Sequence, residues 1–145
     1  GLGLLNIETT FEKEKTTCRV EGDLVRSSEF GVKSSENTKL TGYEIHMGTS
    51  SGDIGLFKLR RLSSDSSLIL DGSINGNCWG TYIHGIFEND SFRRGIINSL
   101  REQRGLPLVD STIKYSEMKE KAIDNLADIV KQNLDMNFIN RIIGL

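Results

Sequence analysis

Few side chains in this sequence can move a proton near neutral pH. It holds two histidines, His46 and His84, and two cysteines, Cys18 and Cys78. His84 sits in Gly80-Thr81-Tyr82-Ile83-His84-Gly85-Ile86-Phe87, within an apolar run long enough for a strand and too short for a helix. An imidazole near a strand end, beside a glycine that breaks the strand, can serve as general base and then as general acid. The plainer alternative is a structural histidine, the commoner fate of a lone His on an apolar strand. Glu44 and His46 stand two positions apart, so a strand puts both on one face. They form either a pair that orients another imidazole or binds substrate, or a hydrogen-bonded pair satisfied within the sheet. On the same period of two, Tyr82 shares the face of His84 and joins the substrate-site candidates. Cys78 and His84 are six positions apart, about 20 Å along one straight strand at ~3.3 Å per residue, too far for a nucleophile and its base. Both cysteines read as small buried hydrophobes.

Residues 71–94 supply the frame for His84: turn, strand, helix start. Asn75-Gly76 predicts a hairpin turn, residues 79–87 one buried strand, and Asn89 or Asp90 a cap for the next helix. His84 then lies near the C-terminal end of that strand, where α/β sheets place their chemistry. Residues 16–20, 40–47, 56–62 and 68–70 predict further strands, and 48–55 a polar turn, giving an antiparallel or mixed sheet of about four to six strands. Helices follow. Phe92, Ile96, Ile97 and Leu100 fall at helical spacing, and Gly105 with Pro107 ends that helix. Ser111 is read as the cap of a second helix carrying Tyr115, Met118, Ala122, Leu126, Val130 and Leu134, and residues 136–143 form a third.

A length of 145 residues predicts one α/β domain, residues 1–145, with a real core. A net charge of -2 argues against nucleic acid as partner. Two cysteines are too few for a disulfide framework, which favours a cytoplasmic compartment. No apolar run is long enough for a membrane span. No Gly-rich Lys-Ser/Thr loop and no helix-borne histidine pair is present, so no cofactor-binding or metal-binding residue is expected in this chain. The chain opens on Gly1-Leu2-Gly3-Leu4-Leu5 without Met, which reads as a processed end, an engineered boundary or the second half of a larger protein.

These strings carry a resemblance. Gly1 to Leu5 with Glu8-Thr9, then Lys15-Thr16-Thr17, Gly42-Tyr43-Glu44-Ile45-His46-Met47-Gly48 and Gly80 to Phe87 follow one another in the order and spacing of a known domain. With Asp90, Phe92, Arg93 and Arg94 continuing the match, the sequence resembles the glutamine amidotransferase domain of the cobyric acid synthase family over essentially its whole length. The resemblance implies the C-terminal part of a flavodoxin-like class I glutaminase, a mixed sheet with C-terminal helices. It implies that His84 pairs with a nucleophilic Cys on a sharp strand-to-helix turn and that glutamine is the substrate. It further implies that the ammonia passes to a synthetase domain with ATP and magnesium, which amidates carboxylates of adenosylcobyrinic acid a,c-diamide, the corrinoid substrate, in cobalamin biosynthesis.

Two departures from the wider class matter. Other class I glutaminases carry Glu two residues after the catalytic His, where this chain has Ile86, so another group must orient His84, and Glu44 is the expected one. Neither Cys18 nor Cys78 lies in a Gly-x-Cys-x-Gly elbow, and in this family the elbow lies upstream of the Gly-Leu-Gly-Leu-Leu string. The expectation is a chain holding the base without the nucleophile, lacking the synthetase domain, inactive alone, and self-associating as a homo-oligomer through an unpaired sheet edge. The alternatives are a non-catalytic module that packs against a partner, and the glutaminase part of a related enzyme such as cobyrinic acid a,c-diamide synthase.

Overall fold

The computed structural model describes residues 1–29, 39–63, 67–110 and 113–144. The chain divides into two compact units, Gly1–Ser111 and Thr112–Leu145, where length alone predicts one domain. The first unit is built on five strands in the spatial order β6-β5-β2-β3-β9, with β2 Thr16–Leu24, β3 Lys39–His46, β5 Phe57–Arg61, β6 Leu68–Asp71 and β9 Ile83–His84. Two two-stranded sheets accompany it, β1 Ile7–Thr10 with β4 Thr49–Gly52, and the hairpin of β7 Ser73–Asn75 with β8 Cys78–Gly80. Every ladder among the described residues is antiparallel. Parallel neighbours need a crossover of a dozen or more residues, usually a helix, and among the described residues no α-helix lies between β1 and β9.

Alternation decides which side is core. Val20, Leu24, Leu40, Phe57, Leu59 and Ile83 share one face of the five-stranded sheet and are buried, whereas Lys58 and Arg60 point the other way. Over the buried face lie Ile74, Ile86 and the fully buried Phe92 of α1 Asp90–Gln103. Trp79, Phe87 and Phe57 each bring a ring centroid to 6.0–6.1 Å from that of Phe92, within the range in which tilted aromatic pairs attract. Phe92 is therefore the centre of the core.

Three expectations fail locally. The predicted turn 48–55 contains β4, whose Thr-Ser-Ser-Gly sequence has no apolar alternation and pairs with β1 far away in the chain. The β7–β8 loop consists of Gly76 and Asn77, because Asn75 already pairs with Cys78. The predicted strand 79–87 is three pieces: β8, β9, and a short 3-10 turn Ile86–Glu88. The break at Thr81 and Tyr82 ends the alternation that grouped Tyr82 with His84, and removes the basis for the straight-strand separation of Cys78 from His84.

In the second unit, α2 Tyr115–Asn133 and α3 Met136–Ile143 form as the spacing predicts. Asp135 caps α3 by accepting the Phe138 N–H at 3.0 Å. Ser111, read as the cap of α2, lies outside the described residues, and Lys114 occupies the N-cap position. Among the described residues no helix is long and apolar enough to cross a membrane.

Candidate active site on two faces of one sheet

His84 closes β9, directly opposite Tyr43 of β3. Two glycines put it there. Gly42 lies so close to β9 that a Cβ would meet Ile83 Cγ2 at 2.5 Å and the His84 carbonyl oxygen at 2.7 Å, and Gly85 turns out of the strand at φ 77°. Directly paired residues share a face, so His84 and the exposed Tyr43 stand together on the outer side of the sheet. The imidazole is exposed and has no side-chain partner among the described residues. The strand-end argument drawn from α/β sheets does not apply to it, because β9 is a two-residue antiparallel strand.

Glu44 faces the other way, opposite Ile83 on the core side, and is 4% exposed. Its carboxylate receives two Arg61 bonds, Nε to Oε2 and Nη2 to Oε1, both 2.7 Å, and lies 2.8 Å from His46 Nε2. Glu44 thus orients His46 and not His84, contrary to expectation. Burial pushes its carboxyl upward, but the Arg61 and His46 bonds and the Arg61 charge outweigh burial and hold it below the ordinary carboxylate value. With Nε2 donating to Glu44, the neutral ring leaves Nδ1 as a base, and Nδ1 is buried with no partner among the described residues.

Tyr82 belongs to this inner group. Its ring centroid lies 4.7 Å from that of His46, and its hydroxyl stands 3.1 Å from Thr9 Oγ1, which bonds Ser50 at 2.8 Å. Its backbone N–H donates to Asp71 at 3.2 Å. Asp71, at the end of β6, also receives the Thr81 hydroxyl, so one buried carboxylate fixes the break between β8 and β9. Burial pushes the Asp71 carboxyl above its ordinary value despite these bonds, and the Glu44 charge acts in the same direction.

Sequence reading missed Arg61 and Asp71. Arg61 had a signal, since it is in phase with buried Phe57 and Leu59 on β5. Asp71 had none, because its partners lie across a break that periodicity does not mark. Cys18 and Cys78 are free and partly exposed rather than buried. Cys18 is the register partner of Glu44, and its Sγ lies 3.3 Å from its neighbour's carbonyl oxygen. Among the described residues no three His, Cys, Asp or Glu side chains gather where they could hold a metal ion.

Comparison with known proteins fits this arrangement. The CobB/CobQ-like glutamine amidotransferase domain matches residues 1–92, which carry both histidines. Cobyric acid synthase of Thermodesulfovibrio yellowstonii is 47% identical over 145 residues, covering 100% of this chain and 28% of that protein. The Clostridium botulinum (strain Langeland) protein of the same name is 48% identical over 150 residues, covering 29% of its length, and that of Clostridium tetani is 39% identical. The chain spans less than a third of the length of these curated relatives. With nearly two thirds of its residues matched, it belongs to the CobB/CobQ-like glutamine amidotransferase domain family.

Proposed function

We propose that this chain is the general-base portion of the glutaminase of a cobyric acid synthase. The observation that carries the reading is the 47% identity to such a synthase across all 145 residues. His84 takes the proton from a cysteine thiol, and the thiolate attacks the side-chain amide carbon of glutamine. The proton passes to the departing nitrogen as the C–N bond breaks, and water then releases glutamate from the thioester. Exposure of His84 suits it to a nucleophile supplied from another segment, since neither cysteine here lies in a Gly-x-Cys-x-Gly elbow.

The ammonia serves amidation of corrinoid carboxylates with glutamine and ATP in a cytoplasmic enzyme of cobalamin biosynthesis. The residues described offer no cluster of His, Cys, Asp or Glu fitting magnesium. The same proposal holds that the isolated chain self-associates. Met118, Ile123, Leu126 and Ile129 of α2 are 52–61% exposed, and exposed apolar surface of this kind favours association.

A second reading places the base at His46, because it is His46 that a buried carboxylate orients, leaving Nδ1 open. Ammonia release from glutamine separates the two. The chain is assayed alone and mixed with a separately made upstream segment carrying the elbow cysteine. Activity confined to the mixture and abolished by His84→Ala supports the proposal. Activity that survives His84→Ala but not His46→Ala transfers the role, and full activity of the chain alone overturns the split-site reading.

A further inference from the structure

We propose that the cavity bounded by Ile7, Ser50, Asp71, Ser73, Thr81 and Tyr82 binds a primary ammonium group. The cavity encloses about 230 Å³, while a water takes about 30 Å³ of liquid and drug-sized ligands begin near 300 Å³. Its occupant is therefore small: an ammonium ion or a compact amine. It lies on the inner side with Tyr82, within the first unit.

Two independent features select the charge. Asp71 is 8% exposed, and the bonds it accepts, from the Thr81 hydroxyl and the Tyr82 and Gly72 amides, come from neutral donors. No Lys, Arg or His among the described residues is ion-paired with it, and the Glu44 charge that acts on it has the same sign. A buried carboxylate without a counter-charge is costly, and a cation in the adjoining space relieves that cost. Ser73 is the second feature. It lines the same cavity, is 1% exposed, and its Oγ has no partner among the described residues. A buried hydroxyl left without a hydrogen bond costs about 1–3 kcal/mol.

An R–NH₃⁺ group matches this set because it is a compact charge with three donors and no acceptor. The Asp71 carboxylate and the hydroxyl oxygens of Ser73, Ser50 and Tyr82 are acceptors for those donors. A divalent cation fits poorly, since calcium takes six to eight oxygens from several carboxylates and carbonyls, and Asp71 is the one carboxylate lining the cavity among the described residues. Free ammonium ion and the α-ammonium of a small amino acid share the recognised chemistry. The inference stands on this cavity alone and not on the glutaminase reading.

The test is a chemical-shift titration of the 145-residue chain at constant ionic strength, following the Ser73 and Tyr82 amides. Ammonium chloride, methylammonium chloride and L-glutamine are the probes, with tetramethylammonium chloride as control. Saturable shifts with ammonium and methylammonium, absent with tetramethylammonium, are expected, and Asp71→Asn should weaken affinity tenfold or more. Should Asp71→Asn not fold by circular dichroism, Ser73→Ala decides, with a severalfold loss expected. Glutamine that competes with methylammonium identifies an amino acid as the source, and glutamine that does not compete identifies the free ion. Absence of saturable shifts in the wild-type chain, equal response to tetramethylammonium, or unchanged affinity in the folded variants overturns the proposal.

Discussion

The two histidines of this chain are built in opposite ways on one strand pair. His84 stands on the outer face at the end of a two-residue strand, exposed and without a partner among the described residues. His46 stands on the inner face, held by a buried carboxylate that Arg61 holds in turn. An imidazole held by a fixed acceptor has its tautomer and orientation set within its own unit. One without such an acceptor depends on whatever else approaches it. The difference teaches that a recognisable string and a finished site are separate properties. The Gly-Thr-Tyr-Ile-His-Gly string marks His84, whereas the buried carboxylate and its arginine hold His46.

The largest expected effect sets the two against each other. In the complemented ammonia assay, His84→Ala should lower the rate by several powers of ten, since a nucleophile and its base act as a unit. His46→Ala should cost about 10²-fold or less, the scale of misplacement rather than lost chemistry. Equal losses would erase the distinction.

Phe92→Ala weakens the platform beneath both histidines. Its ring is fully buried among Phe57, Trp79 and Phe87, so denaturant unfolding should show a loss of about 3–5 kcal/mol. A loss under about 1 kcal/mol would mean that Phe92 is not central to the core.

Glu44 sharpens the comparison through pH. Its folded carboxyl lies below the ordinary 4.5, so its stabilisation is present above that value and lost as pH falls through the folded value. Glu44→Gln should lower stability near pH 7 by about 1.5–3 kcal/mol, the range for a hydrogen bond to a charged group, and flatten its decline toward acid. Asp71 has the opposite sign. Its raised carboxyl favours the fold below the ordinary 3.8, and that contribution is lost as pH rises through the folded value. An unchanged acid slope in Glu44→Gln, followed by circular dichroism, would remove the claim that Glu44 is ionised and paired.

Gly42→Ala acts on His84 alone. The new methyl group would press on Ile83 and on the His84 carbonyl, so β9 must shift, at a cost of about 1–3 kcal/mol. In the complemented assay its activity loss should exceed that of a control of equal stability, and His46 ring resonances should stay in place. A shift of the His46 resonances as large as that at His84 would show the two faces to be coupled.

Much of the fold was legible because alternation and helical spacing are local. β5 follows its apolar phase and α3 spans the predicted residues, whereas β3 forms where expected but buries the side of Leu40 and Glu44 and leaves Tyr43 and Met47 exposed. The Glu44–His46 contact followed from a two-residue spacing. What escaped depends on distant partners. The β1–β4 ladder joins a polar segment to one about forty residues earlier. The break at Thr81 and Tyr82 is held by Asp71 from another strand, and an uninterrupted apolar run conceals it.

Asn89 occupies the N-cap position of α1, yet its side chain makes no capping bond. Its Oδ1 accepts the Thr41 N–H and its Nδ2 donates to the Thr41 carbonyl, both at 2.8 Å. The side-chain amide thus impersonates one peptide unit of a neighbouring strand. It continues the edge of β3 beyond the point where β9 stops. A sheet margin that would invite a foreign strand is occupied at Thr41 by a group that cannot propagate. In this way the residue that begins the helix also brings the sheet to a close.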